Sequence, residues 1–148
     1  MRCVDKNKKR ITAAVLILLT AVLLGVGCSS MPQAQWGKVL KYGSGGSLFY
    51  TSDVTEEEAR RLRDYFLKIK TFQDEPPIVQ LARKGNVYEV RMVVDKEVIE
   101  KELPPEVMGP VEAAGLLAEE VSKEVFNGAK VEWHLCDDSF KTLRIGSY

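Results

Sequence analysis

Residues 11–27 (ITAAVLILLTAVLLGVG) form an uninterrupted run without a charge, and this run divides the chain. Such a segment has no polar side to show to water, so it cannot form the surface helix of a small domain. Ahead of it, residues 1–10 hold five basic residues (Arg2, Lys6, Lys8, Lys9, Arg10) and one acid, Asp5. Immediately after it stand Cys28, Ser29 and Ser30. A basic start, an apolar core and small residues before a break make a secretory signal. The basic end is retained on the cytoplasmic side. The chain also has an apolar length at the short end of a spanning helix, about 17–25 residues. An uncleaved signal anchor therefore stays open beside a cleaved signal, as does a buried helix.

The stretch Leu23-Leu24-Gly25-Val26-Gly27-Cys28 resembles the lipobox of bacterial lipoproteins. The resemblance implies a diacylglycerol on the Cys28 thiol, cleavage just before Cys28 and acylation, palmitate among the chains, of the new N-terminus. Gly27 supplies the small residue that the family places before the cysteine. The family usually has Leu three places before it; here that place holds Gly25, with Leu24 one step earlier. Ser29 is similar to the residue that follows the cysteine in outer-membrane lipoproteins. Two or three acyl chains anchor stably where one does not, at about 0.8 kcal/mol per buried methylene. The expected layout is a signal over 1–27, a lipidated N-terminus and tether over 28–46, and a domain over 47–148. The domain would face the periplasm or exterior from the cell membrane or the outer membrane.

Removing residues 1–10 from the chain's 21 basic and 21 acidic residues leaves 16 and 20. A mildly acidic remainder excludes a phosphate-binding basic face, and with it nucleic acid as a partner. With 45% hydrophobic and 28% charged residues, the composition is that of a globular protein.

In the stretch 29–47, Ser, Gly and Pro read as a spacer, interrupted by Trp36, Val39, Leu40 and Tyr42 as a short docking element. A strand is expected at 47–51. Thr55-Glu56-Glu57-Glu58 is a capping box, and Ala59, Leu62, Phe66 and Ile69 continue at helical spacing, predicting a helix over 55–71. Lys84-Gly85-Asn86 reads as a hairpin turn between strands at 78–83 and 87–95. In the second of these, Tyr88, Val90, Met92 and Val94 share one face, and Glu89 and Arg91 the other. A loop is expected over 95–105. Pro110 and Asn127-Gly128 bracket a second helix, inside which Gly115 permits close packing on the sheet. Strands at 130–136 and 142–145 follow. The order β-α-β-β-α-β, with room for an extra strand, predicts a ferredoxin-like α+β fold: two helices on one face of an antiparallel sheet, preceded by the N-terminal hydrophobic helix.

His134-Leu135-Cys136-Asp137-Asp138 is the densest group of reactive residue types. On a strand His134 and Cys136 point to the same side. With Asp137 they are weak candidates for zinc, because a second His and a CxxC pair are both missing. A Cys136–His134 nucleophilic pair lacks the group that would orient its base. The bland alternative puts His134 and Cys136 on the outer face and starts a turn at Asp137. No phosphate loop and no G-x-S-x-G elbow is present. No catalytic residue, metal or cofactor is therefore assigned. Once Cys28 is lipidated and Cys3 removed, Cys136 is the lone thiol, open to burial, to a link between two chains or to oxidation as a sensor.

Val125-Phe126-Asn127-Gly128-Ala129, with 134–138 and Lys141-Thr142-Leu143-Arg144, resembles small domains of unassigned activity on bacterial membrane proteins. The expectation is a non-enzymatic binding or assembly module of the cell envelope, held to the membrane by lipid on Cys28 and meeting an envelope protein. The alternative is a small periplasmic metal-binding protein or enzyme using His134, Cys136 and Asp137.

Overall fold

Alternation between apolar and polar residues gives each strand two unlike sides, and the chain assembles six such strands into one mixed sheet. The computed structural model describes residues 33–69, 72, 74–101 and 107–146. The signal segment, Cys28 and the hydrophobic helix expected there lie outside the described residues. A 3₁₀ turn at Gln33–Trp36 leads into strands β1 (Lys38–Tyr42) and β2 (Gly46–Tyr50), helix α1 (Glu56–Lys68), and strands β3 (Ile78–Lys84) and β4 (Val87–Val93). A short helix α2 (Lys96–Glu100), helix α3 (Pro110–Glu124), and strands β5 (Lys130–Cys136) and β6 (Thr142–Gly146) complete it.

The sheet order is β1-β2-β3-β4-β5-β6. Strands β2 and β3 pair in parallel, as do β4 and β5, and the other three pairs are antiparallel. The α+β class and the helices on one face agree with expectation; the ferredoxin-like order and the wholly antiparallel sheet do not. In that order β2 would lie between β4 and β5. Here β1 folds back on β2, with Tyr42 opposite Gly46, and occupies the edge that β5 would need. Each long crossover then returns to the adjacent free edge, which makes the new pair parallel.

Strand β1 lies in the stretch read as spacer, so the docking of Tyr42 takes the form of strand pairing. A left-handed Gly43 (φ 55°) starts its turn. Helix α1 starts as the capping box requires: Glu58 N–H donates to Thr55 Oγ1 at 3.2 Å, and Thr55 N–H donates to Glu58 Oε2 at 2.8 Å. It ends at Lys68, three residues short of the expected end, where Ile69 turns extended and packs on the core. Helix α2 forms in the expected loop because Asp95 Oδ1 accepts from Glu97 N–H at 3.0 Å. Pro110 opens α3, and the left-handed Asn127 (φ 53°) and Gly128 (φ 84°) redirect the chain into β5. The close approach expected at Gly115 is made to Gly146, where an added Cβ would come within 2.6 Å of the Gly115 backbone nitrogen.

One face of the sheet carries Leu48, Tyr50, Val79, Leu81, Tyr88, Val90, Val131, Trp133 and Leu135. Against it pack Ala59, Leu62, Tyr65 and Phe66 of α1 and Ala114, Ala118 and Val121 of α3. Trp133, Leu81 and Leu62 are fully buried, and each of the two leucines contributes roughly 1.5–3 kcal/mol. The same strands turn Phe49, Gln80, Glu89, Arg91, Glu132, His134 and Cys136 to the opposite face.

Candidate functional site

Parallel pairing of β4 with β5 places Glu89 opposite Glu132 and Arg91 opposite His134. The crossover through α3 creates this neighbourhood, since the two carboxylates are far apart along the chain. All four side chains stand on the face away from the helices. Glu89 is 9% exposed and His134 6%, while Glu132 is half-buried. Like charges directly opposed on neighbouring strands destabilise a sheet, so the arrangement needs compensation. Arg91 supplies part of it, with Nε and Nη2 donating to Glu89 Oε2 at 3.0 and 2.6 Å. Lys130 Nζ lies 3.2 Å from Glu132 Oε1.

The His134 ring is held at one end. Its Nδ1 lies 2.9 Å from Thr142 Oγ1 on β6. Its Nε2 is 3.6 Å from Glu132 Oε2, beyond hydrogen-bond length, and this buried nitrogen has no hydrogen-bond partner among the described residues. Burial pushes the His134 pKa down, helped by the Arg91 charge and opposed by the Glu89 and Glu132 carboxylates. The ring is therefore neutral at neutral pH. One ligand atom each from Glu89, Glu132 and His134 lies within 4.8 Å of the others.

Beside this group sits a small aromatic cluster. Trp36 meets Phe49 and Phe140 edge-on, with ring centroids 5.3 and 5.2 Å apart. Gln80 Nε2 donates to the Trp36 carbonyl at 2.9 Å, which ties the 3₁₀ turn to the sheet. Phe140 adopts a left-handed backbone (φ 60°), a rare conformation for so bulky a residue. Its burial against Trp36 and Phe49 offsets that strain.

A family model described as the AF_1994_N family N-terminal domain matches residues 41–145. The chain belongs to this family. The match runs from β1 into β6 and includes Glu89, Glu132 and His134, and it begins well after Cys28. No curated protein and no solved structure matches the chain.

Within the family domain, the three residues singled out from sequence separate. His134 sits at the centre of the polar group. Cys136 lies one step further along the same face but is fully buried with Phe49 and Phe140. Its Sγ leans to the His134 carbonyl at 3.7 Å, and burial pushes the thiol pKa up, away from the reactive thiolate. Asp137 builds a turn, its Oδ1 accepting from Ser139 N–H at 3.0 Å and Lys141 N–H at 2.9 Å. The trio expected as a weak metal set is therefore not brought together. The carboxylates that neighbour His134, those of Glu89 and Glu132, are not marked as site residues by the sequence. The available signal was spacing by two: Glu89 with Arg91, and Glu132 with His134, each pair on one side of a strand.

Proposed function

We propose that this chain is a lipoprotein of the bacterial cell envelope, anchored by lipid on Cys28. Its family domain would act outside the cytoplasm as a non-enzymatic binding or assembly module. The carrying observation is the charge-free run over 11–27, basic before and ending in Gly27-Cys28. Among the described residues no helix is long and apolar enough to cross a membrane. The binding reading draws on the sheet. The α-helices pack on one face, and the other holds a largely buried polar and aromatic group that reaches solvent through the partly exposed Trp36, Arg91 and Glu132, which invites a ligand or an envelope partner. Cys136 is buried and has no base bonded to its sulfur among the described residues, which speaks against nucleophilic chemistry.

Intact mass of the protein from its native membrane, with and without Cys28→Ala, tests the anchor. A chain beginning at Cys28 with acyl mass, lost in the variant, is the expected result. Full-length unmodified mass in both proteins contradicts it.

A further inference from the structure

We propose that Glu89, Glu132 and His134 form a binding site for a divalent transition-metal cation, with zinc the best fit. This deepens the binding reading by naming a ligand for the same face. It does not depend on lipid at Cys28, so failure of the anchor would leave it standing.

The first argument is geometric. Two ligand atoms on a tetrahedral zinc, at bond lengths of about 2.0–2.1 Å, stand roughly 3.3 Å apart. His134 Nε2 and Glu132 Oε2 are 3.6 Å apart, with a ligand atom of Glu89 inside the same 4.8 Å cluster. A shift within reach of side-chain rotation brings all three onto one ion. The cations already present leave room: Arg91 bonds Glu89 through Oε2, and Lys130 approaches Glu132 through Oε1, the oxygen other than the one near His134.

An independent observation comes from the ring itself. His134 is more than nine-tenths buried, and its Nε2 aims at the carboxylates without a hydrogen-bond partner among the described residues. A buried polar atom left unpartnered keeps its full desolvation penalty. A metal ion removes that deficit, because a neutral imidazole coordinates through its lone pair. The contact of Nδ1 with Thr142 Oγ1 matches the outer-shell bond that fixes the tautomer and orientation of metal-bound histidines. In the tautomer that donates from Nδ1 to Thr142 Oγ1, the ring presents a bare Nε2 to the site.

The donor set selects among ions. Calcium and magnesium prefer all-oxygen shells, whereas imidazole with carboxylates suits zinc and its first-row neighbours. Three protein ligands leave a fourth position for water or for a group from a partner. The half-exposed Glu132 is the side from which an ion enters.

The test is titration calorimetry of the full-length protein in detergent micelles, stripped with EDTA and titrated with zinc chloride. One zinc per chain is expected. Affinity should fall at least tenfold in Glu132→Gln and in His134→Ala, and about tenfold in Thr142→Val through the outer shell. Cys136→Ser and Asp137→Asn should bind as the parent does. Circular dichroism in metal-free buffer shows that each variant is folded; should His134→Ala not fold, Glu132→Gln and Thr142→Val carry the comparison. Cobalt in place of zinc should give a spectrum without thiolate charge transfer. Absence of zinc binding at millimolar concentration would overturn the proposal. So would binding that survives Glu132→Gln and Thr142→Val unchanged, or that is lost in Cys136→Ser.

Discussion

The two faces of the sheet use alternate residues of the same strands, and they solve different problems. On one, Val90 and Trp133 meet in register and are sealed beneath α1 and α3. On the other, one residue away on each strand, Glu89 meets Glu132 and Arg91 meets His134. The first face gains from every contact it buries. The second opposes two carboxylates across the β4–β5 pair; among the described residues each face also leaves a buried ring nitrogen without a hydrogen-bond partner, Trp133 Nε1 on the first and His134 Nε2 on the second. The opposed carboxylates are what a fold selected for stability alone would not retain. The contrast teaches that stability and binding are separated here by side-chain parity rather than by region of the chain.

Truncations on the helix-covered face should have the largest effect. Trp133→Ala should lower stability by about 3–5 kcal/mol, read by urea unfolding; a loss below 1 kcal/mol would break the contrast. Gly37→Ala comes next. Gly37 has φ 97°, and an added Cβ would lie 2.1 Å from the Tyr50 carbonyl oxygen. It joins the turn bearing Trp36 to β1, so the substitution should cost roughly 2 kcal/mol or more and loosen Trp36. Tryptophan fluorescence with Trp133 as the internal reference reports that loosening. Thr55→Ala removes half of the capping box and should cost about 1 kcal/mol in the same unfolding assay.

A pH effect is smaller and belongs to the polar face. The folded state holds the His134 pKa below its ordinary value of about 6.5 through burial. Below that value the unfolded chain takes up a proton that the folded one resists. The contribution of His134 is thus present above pH 6.5 and is lost as pH falls toward the folded pKa. Unfolding free energy measured from pH 8 to pH 5 should decline, and the decline should flatten in His134→Gln.

Much of the architecture was legible because its signals are local. Thr55 and Glu58 lie three apart, Pro110 needs only its own ring, and Gly85-Asn86 turns the β3–β4 hairpin. Strand β1 was obscured because Lys38 and Lys41 interrupt its apolar residues and Gly43–Gly45 follow, so an edge strand looked like a tether. The sheet order was hidden for a different reason: which free edge a crossover returns to is a matter of competition, and β1 decides it. The candidate site inherits that difficulty. His134 stood out by type, and Glu89 and Arg91 only as the polar side of a strand, but the opposition of Glu89 to Glu132 exists only once β4 and β5 are parallel neighbours. Cys136 and Asp137 stood out by proximity in sequence, which on a strand running into a turn carries little information about proximity in space.

The central claim is that the polar face is kept for a ligand and not for the stability of the fold. Urea unfolding of Glu132→Gln beside the parent, both in EDTA, tests it most directly. The substitution removes one of two opposed carboxylates and a half-exposed ion pair to Lys130, so stability should be unchanged or raised by up to about 1 kcal/mol. A loss greater than about 1 kcal/mol would mean that the Glu132 charge holds the sheet together, and would contradict the account.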